Sequence, residues 1–220
     1  MSTSFNWQLF ENRPLVGILR GFEWAQTQVA VESVATEGIT TVEVTMNSPD
    51  ALSQIRALSS DFSMQINVGA GTVCKAAQAE AAIESGASFL VTPTVTREVI
   101  QVALQADVPI FVGAITPTEI LRALDFGATF IKIFPANALG PDYLKSVLGP
   151  FSKIRLMPTG GITTVNLPNY LSAGATAFGI GGPLFDKKQI ADENWQWLRN
   201  QARLFVASYD EARAAAIQQV

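Results

Sequence analysis

The strongest constraint on the fold of this chain is a regular alternation between apolar β-type runs and helical patterns along its 220 residues. Eight short runs rich in Val, Ile and Phe recur at intervals of roughly 20 to 26 residues, a spacing typical of successive βα units. Strands are predicted over residues 15–20, 39–46, 65–70, 88–92, 109–113, 129–134, 153–158 and 175–180. Helices are predicted over residues 24–37, 49–59, 75–85, 96–105, 116–126, 140–147, 163–172 and 188–215. Eight units in this length favour a closed (β/α)8 TIM barrel over an open doubly wound sheet.

Aromatic and apolar residues also precede the first predicted strand. Phe5, Trp7, Leu9 and Phe10 predict a short N-terminal helix that covers the bottom of the barrel. No Gly-Ser linker or low-complexity stretch interrupts the βα series, and 48% of the residues are hydrophobic, which is enough for one substantial core. We therefore expect a single domain over residues 1–220.

The composition excludes several kinds of site. The chain contains no histidine, which rules out Ser-His triads, Cys-His pairs and histidine-ligated metals. The chain has one cysteine, Cys74, so it cannot form an internal disulfide. Acid–base chemistry must therefore fall to carboxylates, lysine, tyrosine or water.

Charge and hydropathy limit the partners of the chain. The net charge of −4 and the pI near 4.9 come with scattered lysines and arginines, which form no basic stripe for nucleic acid. No apolar run approaches the roughly 20 residues of a membrane span, and the N-terminal residues lack the regions of a signal peptide. We expect a soluble cytoplasmic protein that acts on a small molecule, without a nucleic-acid or membrane partner.

Lys132 is the most informative single residue, because it lies in the otherwise apolar predicted strand over 129–134. Burying an ammonium costs several kcal/mol unless it is paired or loses its proton. A lysine in such a place therefore has a partner or a chemical task, and the task that suits it best is attack on a carbonyl. Apolar surroundings help, because a nucleophilic amine must be desolvated or lie near other positive charge.

Period-two alternation assigns Lys132 and Glu43 to the barrel interior. In the second predicted strand, Val42, Val44 and Met46 would face the helices, leaving Glu43 between two inward threonines. The same pattern in the sixth predicted strand turns Phe130, Lys132 and Phe134 inward. The pair of charges has two interpretations, a structural ion pair and a catalytic pair.

Threonines and glycines gather at the carboxyl ends of the predicted strands, where the loops of a barrel assemble a site. The threonines predict a pocket for a polar small molecule, although threonine also favours strands and helix N-caps; they are Thr45, Thr72, Thr92, Thr116 and Thr159. Gly160 and Gly161 follow the seventh strand, and Gly181 and Gly182 follow the eighth. Backbone N–H groups of such loops bind phosphate or carboxylate, or the glycines simply make turns. The segment Gly69–Thr72 has the same two interpretations, a ligand approach or a turn.

Five motifs then appear in an order that resembles one known family. They are EVT at 43–45, VGAGTV at 68–73, TP at 92–93, KIFPA at 132–136 and PTGGI at 158–162. This order resembles the 2-keto-3-deoxy-6-phosphogluconate (KDPG) / 4-hydroxy-2-oxoglutarate (KHG) aldolase family, from about residue 14 to residue 185. The resemblance implies a class I aldolase on a (β/α)8 barrel, independent of metals and cofactors and usually a homotrimer.

The resemblance also implies roles for individual residues. Lys132 would form a Schiff base with the keto acid, and Glu43 would act as the general acid and base. The predicted pyruvate pocket is lined by Thr72, Pro93, Phe134 and Thr159. The phosphate loops would contain Gly160, Gly161, Gly181 and Gly182. The products expected from a 2-keto-3-deoxy-6-phospho sugar acid are pyruvate and D-glyceraldehyde 3-phosphate, and 4-hydroxy-2-oxoglutarate would give pyruvate and glyoxylate.

Two features depart from the gluconate-type pattern. That pattern has an arginine shortly after Glu-Val-Thr, whereas this chain reads MNSP at 46–49 and has Arg20 at the end of its first predicted strand. Both features resemble the phosphogalactonate branch of the family, in which Arg20 would bind the substrate carboxylate; a salt bridge at the rim is the other interpretation.

Pro183 stands where family members often have serine, and proline removes an N–H donor from the phosphate loop.

Two other functions also suit a barrel of this kind. One is a sugar-phosphate isomerase or epimerase that uses Glu43 as a base without an imine. The other is a non-catalytic sugar-phosphate-binding barrel, in which Lys132 only pairs with Glu43. Trapping of pyruvate on Lys132 distinguishes both of them from an aldolase.

Overall fold

The computed structural model describes residues 4–62 and 65–217. The eight strands are β1 Leu15–Leu19, β2 Thr41–Thr45, β3 Asn67–Gly71, β4 Phe89–Thr92, β5 Ile110–Gly113, β6 Phe130–Ile133, β7 Leu156–Pro158 and β8 Phe178–Ile180. The helices are α1 Trp7–Asn12, α2 Trp24–Thr36, α3 Ala51–Asp61, α4 Ala76–Glu84, α5 Arg97–Gln105, α6 Pro117–Asp125, α7 Ala136–Leu139, α8 Pro141–Leu148, α9 Leu167–Ser172, α10 Lys187–Ala191 and α11 Trp195–Ile217. The predicted single domain also includes residues 1–3, 63–64 and 218–220, which lie outside the described residues.

The strands form one parallel sheet in the order β7-β6-β5-β4-β3-β2-β1-β8. The bridges Leu156↔Ala175 and Thr159↔Gly179 join β7 and the segment that contains β8, which brings the two ends of the sheet together. The predicted (β/α)8 barrel is therefore confirmed, and the carboxyl ends of all eight strands meet at one face.

Apolar side chains pack on both faces of the barrel sheet. Outward-facing residues such as Val42, Val44 and Ile131 pack against the helices, as the alternation predicted. The inner layer is an aromatic cluster at the amino-terminal end of the barrel, made of Phe5, Phe10, Phe89, Phe111 and Phe130, with Val16, Val91, Met157 and Ala177. The predicted N-terminal helix thus exists and covers the barrel bottom with its buried Phe10.

Several predicted helix boundaries are wrong for local reasons. The helix predicted over 188–215 is two helices, because Glu193 adopts a positive φ of 53° and the Asn194 side chain accepts the Trp197 N–H at the start of α11. The helix predicted over 163–172 begins only at Leu167. Before it, the side chains of Thr163 and Asn166 bond to each other's backbone N–H groups and hold a turn.

No helix among residues 4–62 and 65–217 is long and apolar enough to cross a membrane.

Candidate active site

Lys132 and Glu43 face each other across the upper barrel interior. Lys132 is on β6 and Glu43 is on β2, four strands apart in the eight-stranded order. The distance between Lys132 Nζ and Glu43 Oε1 is 3.9 Å, and the two side chains are 6% and 0% exposed. The alternation therefore placed both residues correctly on the inner face.

Glu43 has an unusual environment for a carboxyl group. Neither carboxylate oxygen accepts a hydrogen bond from the described residues. Burial raises the pKa of Glu43 above its usual value of 4.5, and the positive charges of Lys132 and, less strongly, Arg20 oppose that shift. A carboxyl group whose pKa is raised in this way is suited to accept and return a proton.

Arg20 follows β1 and reaches over the loops that follow β2 and β3. Its Nη2 donates to Thr72 Oγ1 at 3.2 Å, and its Nη1 donates to Asn47 Oδ1 at 3.4 Å. Within the described chain it forms no ion pair with a carboxylate, so the predicted alternative of a rim salt bridge is not formed. The guanidinium group is exposed at the site and carries a positive charge close to Glu43.

Phe134 lies at the mouth of the barrel and not inside it, which corrects the prediction of an inward side chain. β6 ends at Ile133, and Phe134 is 49% exposed. Its ring centroid is 5.8 Å from Lys132 Nζ, so the ring still flanks the amine. A Cβ atom on Gly160 would lie 3.0 Å from the ring, which places the first glycine of the seventh loop against Phe134.

The loop after β7 is tied to the loop after β6 by backbone hydrogen bonds. The Ala136 N–H donates to Thr159 O at 2.8 Å, and the Asn137 N–H donates to Gly160 O at 3.1 Å. Thr159 is buried and pairs with Gly179 in the bridge that closes the barrel. Gly160 and Gly161 have positive φ angles of 90° and 73°, a conformation that favours glycine.

The loop after β8 lies beside the loop after β7. A Cβ atom on Gly182 would meet nothing within 4 Å, so this part of the loop is bordered by open space. The N–H groups of Leu184 and Phe185 both donate to Gly181 O at 2.9 Å. These two donors are therefore engaged within the loop, and Pro183 between Gly182 and Leu184 has none to offer.

Pro93 is exposed directly after β4, and its carbonyl group approaches Gly113 of β5 closely. Gly113 in turn is the register partner of Lys132 on β6. One strand, β5, therefore lies between Pro93 and Lys132. The residues predicted from sequence to line the site all lie at the carboxyl-terminal end of the barrel.

The predicted threonine ring divides into two groups. Thr45, Thr92 and Thr159 are buried, and Thr72 is half-buried beside Arg20. Thr116 is exposed and is the N-cap of α6, where its hydroxyl accepts the Glu119 N–H. For this threonine the helix-capping interpretation is the correct one.

Comparison with known proteins gives the same family as the motifs. The sequence profile of the KDPG and KHG aldolases matches residues 8–200. The chain is 35% identical over 200 residues to the 2-dehydro-3-deoxy-6-phosphogalactonate aldolase of Escherichia coli, and the match covers 90% of this chain and 96% of that protein. It is also 35% identical over 184 residues to the 2-dehydro-3-deoxy-phosphogluconate aldolase of Pseudomonas aeruginosa, and this match covers 83% of each chain.

The chain belongs to the KDPG and KHG aldolase family.

Solved structures agree with this assignment. The structure described as native KDPGal has a TM-score of 0.87 and 34% identity, and the match covers 91% of this aldolase-family chain and 96% of the other chain. The KDPG aldolase of Legionella pneumophila, solved with pyruvate captured at low pH as a covalent carbinolamine intermediate, has a TM-score of 0.82 and 27% identity. That match covers 89% of this chain and 95% of the other.

Two glycines of this aldolase-family barrel shape the site in a way that the sequence did not predict. A Cβ atom on Gly71 would lie 2.3 Å from Glu43 Oε1, and one on Gly179 would lie 2.3 Å from Thr159 Oγ1. Each glycine therefore leaves room for the side chain of a predicted site residue on a neighbouring element. The turn interpretation of Gly69–Thr72 is wrong for Gly69 and Gly71, because both lie within β3. Gly69 accommodates the Phe89 ring.

The described residues contain no group of three or more His, Cys, Asp or Glu side chains able to hold a metal ion.

Proposed function

We propose that this chain is a class I aldolase that cleaves 2-keto-3-deoxy-6-phospho sugar acids through a Schiff base on Lys132. The observation that carries the proposal is the Lys132 amine, 3.9 Å from a Glu43 carboxylate that is fully buried at the end of the barrel where such sites form. Membership of the KDPG and KHG aldolase family supports the same reaction.

The first step is attack of the neutral Lys132 amine on the C2 carbonyl of the keto acid. The resulting carbinolamine loses water and becomes an iminium ion, which withdraws electrons from the C3–C4 bond. The relative from Legionella pneumophila in which pyruvate was captured as a carbinolamine supports an intermediate of this type. The scheme uses no cofactor.

Glu43 is proposed to transfer the protons of the reaction. As a carboxylate it removes the proton of the C4 hydroxyl, directly or through a water molecule, while the C3–C4 bond breaks. D-glyceraldehyde 3-phosphate leaves, and the electron pair of the broken bond forms an enamine of pyruvate on Lys132. Protonated Glu43 then returns the proton to C3, and hydrolysis of the imine releases pyruvate.

The remaining site residues are proposed to bind the substrate. Arg20 binds the C1 carboxylate, because it is a positively charged side chain beside Thr72 without a carboxylate partner in the described chain. The pyruvyl part is lined by Thr72, Pro93, Phe134 and Thr159. The backbone N–H groups of the two glycine loops bind the phosphate; they belong to Gly160, Gly161, Gly181 and Gly182.

Borohydride reduction in the presence of pyruvate tests the central claim. A stable pyruvyl adduct is expected on Lys132, located by peptide mapping, and Lys132→Ala should lose both the adduct and the cleavage activity. Lys153→Ala, which changes an exposed lysine, is the matched control and should trap pyruvate normally. An adduct on another lysine would refute the assignment, and the absence of any adduct would favour an isomerase or a binding protein.

The preferred keto acid follows from a side-by-side cleavage assay. The three substrates are the phosphogluconate-type and phosphogalactonate-type keto acids and 4-hydroxy-2-oxoglutarate. Arg20, directly after β1, supports the phosphogalactonate branch, because it contacts Asn47 in the loop where the gluconate-type pattern has its arginine. Preferential cleavage of the phosphogluconate substrate would contradict this part of the proposal.

The quaternary structure and the location are proposed from the family resemblance. We propose that residues 1–220 form one aldolase domain, that three copies form a homotrimer, and that the enzyme is cytoplasmic. Sedimentation analysis of the purified chain tests the trimer, since a monomer of 23.6 kDa and its trimer differ threefold in mass. A fluorescent fusion imaged in its native cell tests the location.

A further inference from the structure

One buried side chain joins the two loops at the Arg20 end of the site. Gln54 is on α3 and is 2% exposed. Its Nε2 atom donates to Phe22 O at 2.9 Å and to Pro49 O at 2.8 Å. Phe22 belongs to the loop between β1 and α2, and Pro49 belongs to the loop between β2 and α3. Both hydrogens of the amide are therefore used to connect the loops.

Two further contacts join the same loops closer to the substrate. The Gly21 N–H donates to Ser48 Oγ at 2.9 Å, and Arg20 Nη1 donates to Asn47 Oδ1 at 3.4 Å. Together with Gln54, these contacts connect residues 20–22 of one loop with residues 47–49 of the other. Gln54 thus holds the backbone of both loops from the interior, at Phe22 and at Pro49.

The amide of Gln54 lowers the stability of the fold relative to an apolar side chain that would fill the same space. Its Oε1 atom is buried and accepts no hydrogen bond from the described residues. Leaving a polar atom without a partner reduces stability, which an apolar side chain of the same length would avoid. The two donor contacts of Nε2 are what a methionine at this position could not provide.

We propose that Gln54 is a positioning residue that holds Arg20 in the geometry that binds the carboxylate of the keto acid. The inference rests on the proposed function, because it assigns a binding role to Arg20. Gln54 acts through the two loops and makes no contact with the reacting atoms. A misplaced guanidinium group weakens binding of substrate and transition state alike, so the effect falls on KM and leaves kcat nearly unchanged.

Gln54→Met tests the inference, because it keeps the length of the side chain and removes both donors. KM for the keto acid, and the pyruvate concentration that half-saturates borohydride trapping, should each rise roughly tenfold, while kcat changes by less than about twofold. In an Arg20→Leu background the same substitution should add no further increase, since the group that it positions is absent. An additional tenfold rise in that background would overturn the positioning role.

Ser59→Ala is the matched control, because Ser59 is on the same helix and its hydroxyl also donates to a loop carbonyl, Gly86 O, at 2.9 Å. It should leave KM unchanged. Thermal unfolding of each variant separates a loss of stability from a loss of binding. If Gln54→Met does not fold, Ser48→Ala is put through the same cycle with Arg20→Leu, and additive effects there would refute the positioning of the loop.

The wild-type protein separates the two levels of the hypothesis. If it traps pyruvate but Gln54→Met has the same half-saturating concentration, only the positioning role is refuted. If the wild-type protein neither traps pyruvate nor cleaves the keto acids, the proposed function itself is refuted.

Discussion

The carboxylate of Glu43 occupies the space that a side chain on Gly71 would need. A Cβ atom at position 71 would lie 2.3 Å from Oε1 and 2.6 Å from the carboxyl carbon. The two residues are on adjacent parallel strands, β2 and β3, whose register pairs Glu43 with Gly69 and Thr45 with Gly71. The side chain of Glu43 therefore leans across Gly71, and this glycine helps to determine where the carboxylate lies relative to Lys132.

Gly71→Ala should lower kcat by roughly 10- to 100-fold, because displacement of a catalytic group by about 1 Å has effects of this size. The measurement is steady-state cleavage of the preferred keto acid, with circular dichroism to establish that the variant is folded. Gly149→Ala is the control, since Gly149 is the C-cap of α8 and has a right-handed φ of −52°. A folded Gly71→Ala variant with wild-type kcat would show that the position of the carboxylate is unimportant.

Glu43→Gln should separate imine formation from bond cleavage. The amide keeps the shape of the side chain but cannot accept the C4 hydroxyl proton, so cleavage should fall by about 100-fold or more. Lys132 is retained, and borohydride should still attach pyruvate to it. Trapping and cleavage are measured on the same preparation. Normal cleavage by this variant would remove Glu43 from the mechanism.

The pH dependence of kcat/KM should reflect the burial of Glu43. Burial raises the pKa of Glu43 above 4.5, and the free enzyme needs the ionised form, so activity should fall with decreasing pH at a higher pH than for an ordinary glutamate. Arg20 opposes the shift, and Arg20→Leu should therefore move this acid limb to still higher pH. Arg122→Leu removes an exposed charge on α6 and should leave the limb in place. A limb that moves downward in Arg20→Leu would contradict the assignment.

Pro183→Ser should improve binding of phosphorylated substrates. The substitution adds an N–H donor and a hydroxyl to a loop in which the Leu184 and Phe185 donors already bond to Gly181 O. One new hydrogen bond to a charged phosphate corresponds to a decrease in KM of roughly tenfold. The comparison substrate is 4-hydroxy-2-oxoglutarate, which has no phosphate and should show an unchanged KM. An equal change for both substrates would mean that residue 183 does not act on the phosphate.

Phe10→Ala should reduce stability without affecting catalysis. The ring is 1% exposed, and its centroid lies 5.7 Å from that of Phe111 and 5.5 Å from that of Phe130. Removing a buried phenylalanine typically lowers the free energy of unfolding by about 3–5 kcal/mol. Urea denaturation measures this loss, and kcat and KM are measured well below the transition. A change in KM in the folded variant would indicate coupling between the two ends of the barrel.

Periodicity identified the inward-facing pair of Lys132 and Glu43 because each strand has a two-residue repeat that does not depend on its neighbours. The positions of Lys132 and Glu43 on the inner face follow from that repeat alone, as does the packing of Val42 and Val44 against helices. The same rule failed at Phe134, where the strand has ended and the ring lies half-exposed at the mouth. The two-residue repeat predicts the direction of a side chain only for residues that lie within the strand.

The periodicity of apolar residues did not predict contacts between separate elements. The use of Gly71 and Gly179 as space for Glu43 and Thr159 depends on strand register and on closure of the barrel. The attachment of Gln54 to two loop carbonyls depends on how α3 packs, and a helical pattern does not name the atoms at its ends. Nor did it predict the break before α11, where Asn194 begins a new helix.

The amino-acid sequence by itself determined the eight βα units, the inward side chains of Lys132 and Glu43, and the family, because these depend on local periodicity and on ordered motifs. Tertiary structure alone decided the 3.9 Å approach of amine to carboxylate, the buried state that raises the pKa of Glu43, and the contacts that hold Arg20. Distances across a barrel depend on register and closure, which only the assembled sheet defines.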